Sequence, residues 1–192
     1  QLGGKRSEYA QSFLKGNTVT QTGRYLLVPF LLTLAIIILD QVTKQVVVAY
    51  IEPVYERGFY IEVFGDVLRL IHARNPGIAF SLGATLPVVV RRVLFILFPL
   101  AVIGGLLFYY FRNGERFTAL ERWSIAGIVG GGIGNLIDRI FRPEGVVDFV
   151  DVKFYGLFGL ERWPTFNVAD ASVVVCGTLL VISVLVAETR EE

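Results

Sequence analysis

Three aspartates and three asparagines lie at or beyond the ends of apolar runs in this 192-residue chain: Asp138, Asp148 and Asp170, with Asn75, Asn135 and Asn167. Ionisable groups at the end of an apolar span are costly to hold, which makes them functional candidates by default. Two carboxylates in poorly solvated surroundings can divide one proton between them. The ionised one takes a proton from water while the protonated one gives its own to a substrate. Mutual repulsion drives their titrations apart, and the apparent values belong to the pair. Such a site hydrolyses a peptide bond without metal, cysteine or histidine.

The chain has little other catalytic equipment. It carries one histidine, His72, and one cysteine, Cys176. This excludes a His-based zinc site and an intrachain disulfide, and argues against triads that need a histidine. No metal and no cofactor is expected. The net charge of +1 leaves no basic excess for nucleic acid.

Spacing separates the three carboxylates. Asp138 stands i, i+3 from Asn135 with Arg139 adjacent, so it reads as ionised and structural. Asp148 has no basic residue within two positions. Asp170 and Asn167 open an apolar run, where the helix dipole favours the charged form of an acid. Asp170 therefore comes first and Asp148 ahead of Asp138. Asp40 and Lys44, four apart at the end of the first run, share a helix face and pair. Asp151, beside Lys153, reads as a solvated strand charge.

The elements that must hold these groups are apolar. Hydrophobic residues make up 54% of the chain and charged ones 18%, and the mean hydropathy is +0.60. That pattern points to a polytopic α-helical membrane protein. A single membrane domain over 1–192 is expected, with spans at about 25–48, 88–111, 120–140 and 166–187. A cytoplasmic tail over 1–24 and outer segments 49–87 and 141–165 complete the layout. Gly127 with Gly131, and Gly130 with Gly134, form small-xxx-small pairs that let helices approach closely. The outer segments alternate like strands at a membrane surface, with a hairpin signal at Gly65-Asp66 and a turn signal at Asn75-Pro76-Gly77. Lys5, Arg6, Lys15 and Arg24, with Arg112, Arg116 and Arg122, place both termini in the cytoplasm. Asp40, Lys44, Asn135, Asp138, Arg139, Asn167 and Asp170 then meet at the outer face, joined there by Asn75 and Asp148.

Five stretches carry a resemblance: DQVTK (Asp40 to Lys44), NPGIAFS (Asn75 to Ser81), GGGIGNLIDR (ending at Arg139), VVDF (around Asp148) and FNVAD (ending at Asp170). In this order the chain resembles lipoprotein signal peptidase (signal peptidase II), an aspartic peptidase family of the bacterial inner membrane. The resemblance implies four transmembrane helices with a small outer-face β-cradle. It implies removal of the signal peptide from prolipoproteins, N-terminal to a cysteine already carrying diacylglycerol. It places the catalytic pair on Asp148 and Asp170, with support from Asn75, Asn135, Arg139, Asn167, Asp138, Asp40 and Lys44. Membrane lipid and globomycin-type cyclic peptide inhibitors are the further partners it implies. Departures are Ile78 in place of the usual alanine, an insertion-like KFYGLFGLERW over 153–163, and a long N-terminal tail. A proton-coupled transporter or channel subunit is the alternative reading. It lacks the internal repeat and mid-bilayer polar groups that transporters show.

Overall fold

A computed structural model describes residues 25–57, 59–77 and 87–189, so the tail and residues 78–81 of NPGIAFS lie outside the described residues. The elements in chain order are α1 (Phe30–Tyr50), α2 (Val54–Arg57), β1 (Ile61–Phe64), β2 (Leu68–Asn75), α3 (Val88–Asn113), α4 (Ala119–Phe141), β3 (Val146–Leu157), β4 (Leu160–Arg162) and α5 (Val168–Glu188). The four apolar runs are the four long helices. The two intervening segments contribute one antiparallel sheet of order β1-β2-β3-β4.

Both ends of α4 and the start of α5 are chemically marked. Thr118 and Glu121 form a reciprocal capping box at the head of α4, and Asn167 and Asp170 form another at the head of α5. Each satisfies amide groups that the first turn leaves without partners. The α5 box explains why that helix begins at Val168, two residues later than the apolar run: Asn167 is extended and acts as its cap. At the other end of α4, the Arg142 N–H closes on the Asp138 carbonyl at 2.7 Å.

Among the described residues, three helical stretches are long and apolar enough to cross a membrane: Tyr25–Tyr50, Val93–Asn113 and Val168–Ala187. Helix α4 has 23 residues, a length of about 34 Å, but carries charges near both ends and five glycines between them. Its position explains its composition. Ser124, Ile125, Ala126, Val129, Asn135, Leu136 and Asp138 are buried among the other helices and the sheet, whereas α1, α3 and α5 turn most of their apolar side chains outward.

The glycines do the packing that the pairs imply. A Cβ on Gly130 would stand 3.1 Å from the Thr33 backbone, and one on Gly134 would stand 2.8 Å from Asp40 Oδ2, both on α1. A Cβ on Gly131 or Gly127 would collide with the Ala169 carbonyl or Cys176 Sγ on α5. One glycine row thus faces α1 and the other faces mainly α5. Thr33 Oγ1 exploits the closeness by donating to the Ala126 carbonyl at 2.6 Å.

The sheet is tied to the helices where the polar groups gather. Phe149 and Val150 both donate backbone N–H groups to the Phe166 carbonyl, at 3.0 and 2.8 Å. Val47 and Ile51 at the end of α1 pack against Val147 and Phe149 of β3. The register sets Ala73 opposite Asp148 and Asn75 opposite Val146. Gly65 makes the β1–β2 turn at φ 51°. At the far end of the sheet one reading needs correction. Asp151 is not a solvated strand charge beside Lys153. It is buried, paired with Arg69 at 3.2 Å and Arg162 at 2.6 Å, while Lys153 reaches Asp66 at 2.6 Å. Residues two apart on a strand share a face, but the neighbouring strands decide which charge meets which.

Candidate active site

Asp148 enters from β3, three positions after Gly145. That glycine holds φ 110°, and any Cβ there would strike the Asn75 backbone. The tight approach brings the end of β2 alongside the start of β3. From it Asn75 Nδ2 donates to Asp148 Oδ2 at 3.0 Å, while Asn75 Oδ1 accepts the Gly77 N–H at 3.0 Å. Asn75 therefore makes the turn and holds the carboxylate at once.

Asp170 enters from the first turn of α5. Asn167 spans the space between the two acids. Its Nδ2 donates to Asp148 Oδ1 at 2.7 Å, and its backbone N–H donates to Asp170 Oδ2 at 3.1 Å. Asn135 Nδ2, from α4, donates to Asp170 Oδ1 at 2.7 Å. Each carboxylate thus accepts from two groups, and Asn135 and Asn167 also meet each other at 3.1 Å. Asp148 is buried and Asp170 partly so. Burial above all, then the neighbouring charge of Asp170, pushes the Asp148 carboxyl up to about 7; the Asn75 and Asn167 hydrogen bonds and the Lys44 charge oppose the rise.

Behind this layer lies a second, wholly buried one. Lys44 Nζ points at three acceptors: Asp40 Oδ2 at 2.8 Å, Asp138 Oδ2 at 3.0 Å and Asn135 Oδ1 at 2.9 Å. Three acceptors satisfy the three N–H groups of an ammonium. Its two carboxylates each grip one further backbone group. Asp40 Oδ1 accepts the Ala169 N–H at 2.9 Å, and Asp138 Oδ2 accepts the Val147 N–H at 3.1 Å. Ala169 and Val147 are the residues immediately before Asp170 and Asp148. One buried cation therefore anchors the backbone at both acids.

Sequence spacing paired Asp138 with the adjacent Arg139. The cations that meet it are Lys44 and Arg142, the latter at 3.0 Å and four residues on. Adjacent helical residues point in different directions, while i, i+4 residues stack. The Arg139 side chain makes no hydrogen bond or ion pair among the described residues, and its half-buried guanidinium lies in the field of Asp170, Asp148 and Asp138. Gln41, which sequence reasoning passed over, donates to Asp40 at 3.1 Å, Asp138 at 3.1 Å and the Gly134 carbonyl at 3.0 Å. Its place beside Asp40 in DQVTK was the available signal. His72 stands apart from the two acids: buried in β2, it faces the Ile51 carbonyl at 2.9 Å, and burial lowers its pKa.

Comparisons with known proteins show the family and the fold. A family model described as signal peptidase (SPase) II matches residues 32–186. The chain is 48% identical over 153 residues to a lipoprotein signal peptidase of Treponema pallidum, covering 80% of each. It is 47% identical over 164 residues to the lipoprotein signal peptidase of Treponema denticola, covering 85% of this chain and 92% of the relative. For the lipoprotein signal peptidase of Borrelia hermsii the identity is 42%, over 81% of this chain and 88% of the relative. A solved bacterial membrane enzyme, determined by the in meso method, shares the fold with a TM-score of 0.72 and 24% identity, over 86% of this chain and 92% of that one. A second, similarly described, gives 0.67 and 25%, over 82% and 92%.

Proposed function

The chain belongs to the signal peptidase II family, and from that premise we propose that it is a membrane-embedded aspartic endopeptidase that removes signal peptides from prolipoproteins. Asp148 and Asp170 form the catalytic dyad. The observation that carries this reading is Asn167, one residue hydrogen-bonded to both carboxylates. Asp170, at the positive end of α5, acts as the base and takes a proton from water. The resulting hydroxide attacks the scissile carbonyl carbon. Asp148 donates its proton to the carbonyl oxygen, giving a tetrahedral diol. On collapse, Asp148 recovers a proton from a diol hydroxyl, Asp170 passes its proton to the amide nitrogen, and the C–N bond breaks. The leaving amine is that of the cysteine carrying diacylglycerol.

The asparagine amides are already given to the two acids, so Arg139 is the group left to meet a substrate carbonyl. Four membrane spans underlie the site. Helix α4 is the third, its length sufficient and its polarity accounted for by its central position. Both termini lie in the cytoplasm and the site faces outward, a topology supported by the basic residues near the N-terminus and in the 112–122 loop. Outer-leaflet lipid and globomycin-type cyclic peptides are the expected further ligands.

The test is cleavage of a diacylglyceryl prolipoprotein by purified protein in detergent. Asp148→Asn and Asp170→Asn should each abolish turnover while retaining the wild-type elution profile. Near-normal turnover in either variant overturns the dyad.

A further inference from the structure

The sheet ends, away from the site, in a feature the proposed chemistry does not use. Between Lys153 and Glu161 the chain reads Phe154, Tyr155, Gly156, Leu157, Phe158, Gly159, Leu160, without a charge. Hairpin tips in water draw on glycine, asparagine, aspartate and serine. Here Phe158 is 83% exposed, Tyr155 67% and Leu157 55%. The adjoining β1–β2 end of the sheet adds Phe64, 71% exposed, with Val63 and Val67.

The backbone holds this presentation at a cost. Tyr155 and Phe158 sit at φ 54° and 55°, with Gly156 and Gly159 also positive. Bulky residues rarely adopt that region. Phe154 stays at the root of the tip, tilted against Trp163 with ring centroids 4.9 Å apart and 6.3 Å from the Phe158 ring, which is still 83% exposed.

The charges beneath the tip are compensated. Asp66 pairs with Arg69, Lys153 and Arg162 at 3.2, 2.6 and 3.1 Å, and Asp151 with Arg69 and Arg162. Mutually paired charges lose less on leaving bulk water than isolated ones. The hairpin is also rooted where the last helix begins: Val150 and Phe166 exchange backbone hydrogen bonds at 2.8 and 3.1 Å, one residue before the Asn167 cap. Seven strand steps separate Val150 from Leu157, a reach of about 23 Å. The lipid surface that receives α5 therefore lies within one strand length of the tip, and Tyr and Trp are the side chains enriched at such interfaces.

We propose that the β3–β4 hairpin tip is a membrane anchor separate from the helices, inserting Tyr155, Leu157 and Phe158 at the headgroup–acyl boundary of the leaflet facing the site. The occupant is lipid: the hairpin is rooted at Phe166, next to the Asn167 cap of α5, and α5 turns its apolar side chains outward. The proposal is independent of peptidase activity, and so is its readout.

The chain has two tryptophans, Trp123 and Trp163. With both changed to phenylalanine, Phe158→Trp gives a single reporter at a site that already carries an exposed ring. In phosphatidylcholine–phosphatidylglycerol vesicles, acyl-brominated lipid should quench it, aqueous iodide should barely touch it, and its emission should shift to the blue. Iodide quenching without bromolipid quenching overturns the proposal. So does protection that persists in lipid-free detergent and disappears on dilution, which marks a second copy of the chain as the occupant. Should that background fold poorly, Phe158→Cys in a Cys176→Ser chain, carrying a nitroxide, asks the same question. Greater collision with oxygen than with a water-soluble nickel chelate supports lipid burial, and the reverse order overturns it.

Discussion

Asn167 Nδ2 stands 2.7 Å from Asp148 Oδ1, and the same residue caps the helix that carries Asp170. Cap and clamp are separable. Serine also caps a helix well but does not reach Asp148. Asn167→Ser should therefore lower kcat by about 100-fold or more with a small loss of melting temperature. Asn167→Ala should lose a further ~1 kcal/mol of stability with the cap. Cleavage assays and thermal melts in the same detergent compare the two; equal kcat in Asn167→Ser and wild type would place the dyad's alignment elsewhere.

Asp148 should set the alkaline side of the pH profile. Held up to about 7, it carries its proton below that pH, as the proposed acid must. Above about 7, kcat/KM should fall by about tenfold per pH unit as the acid is lost. The Asn75 hydrogen bond lowers this pKa, so Asn75→Ala should move the alkaline limb to higher pH. A limb that stays put, or moves down, contradicts the assignment.

The same shift has a signature in stability. The folded pKa lies above the unfolded value of 3.8, so the native state binds more protons between roughly pH 4 and 7. Stability from this group is present in full below that window and lost as pH rises through it, by at most ~1.4 kcal/mol per pH unit. Melts of Asp148→Asn should lack this component and exceed wild type most at pH 8. Parallel curves for the two proteins would refute it.

Lys44→Met should leave Asp40 and Asp138 buried without their shared ammonium, costing about 3–5 kcal/mol. The expected readout is poor yield and early aggregation on size exclusion. Asp138→Asn should show the milder version of the same defect, since Arg142 and Lys44 each lose a partner. Catalytic loss in Asp138→Asn protein that melts like wild type would instead give that residue a chemical role.

Gly131→Ala should displace the first turn of α5, because the added Cβ meets the Ala169 carbonyl. Overpacking of this kind costs about 1–3 kcal/mol. The neighbour it pushes is the residue before Asp170, so kcat should fall more than KM rises. Gly104→Ala, with open space at its Cβ, is the control and should leave both unchanged.

Much of this was readable from residue order. Long apolar runs, each ending in polar residues, give the helices, and the glycine rows face the partners that close approach requires. Asp40 and Lys44 pair because four residues return a helix to the same face. What could not be read is which distant group completes each acid. Asp138 looked satisfied by Arg139 but is met by Arg142 and Lys44, and Asp151 is buried by Arg69 and Arg162. The Lys44, Arg69 and Arg162 pairings depend on strand register and helix crossing, which local sequence does not encode, whereas Arg142 stands four residues from Asp138 on the same helix face. Gln41 was overlooked for the same reason: its partners Gly134 and Asp138 lie 93 and 97 residues away.

The grip of Asp40 on the Ala169 N–H joins residues 129 positions apart. During synthesis the first of these emerges long before the second. A chain still being made holds Asp148 with neither Asp170 nor the Asn167 clamp, and on the proposed dyad it should cut nothing. Proteolytic competence then arrives with α5, so the fold itself times the onset of activity.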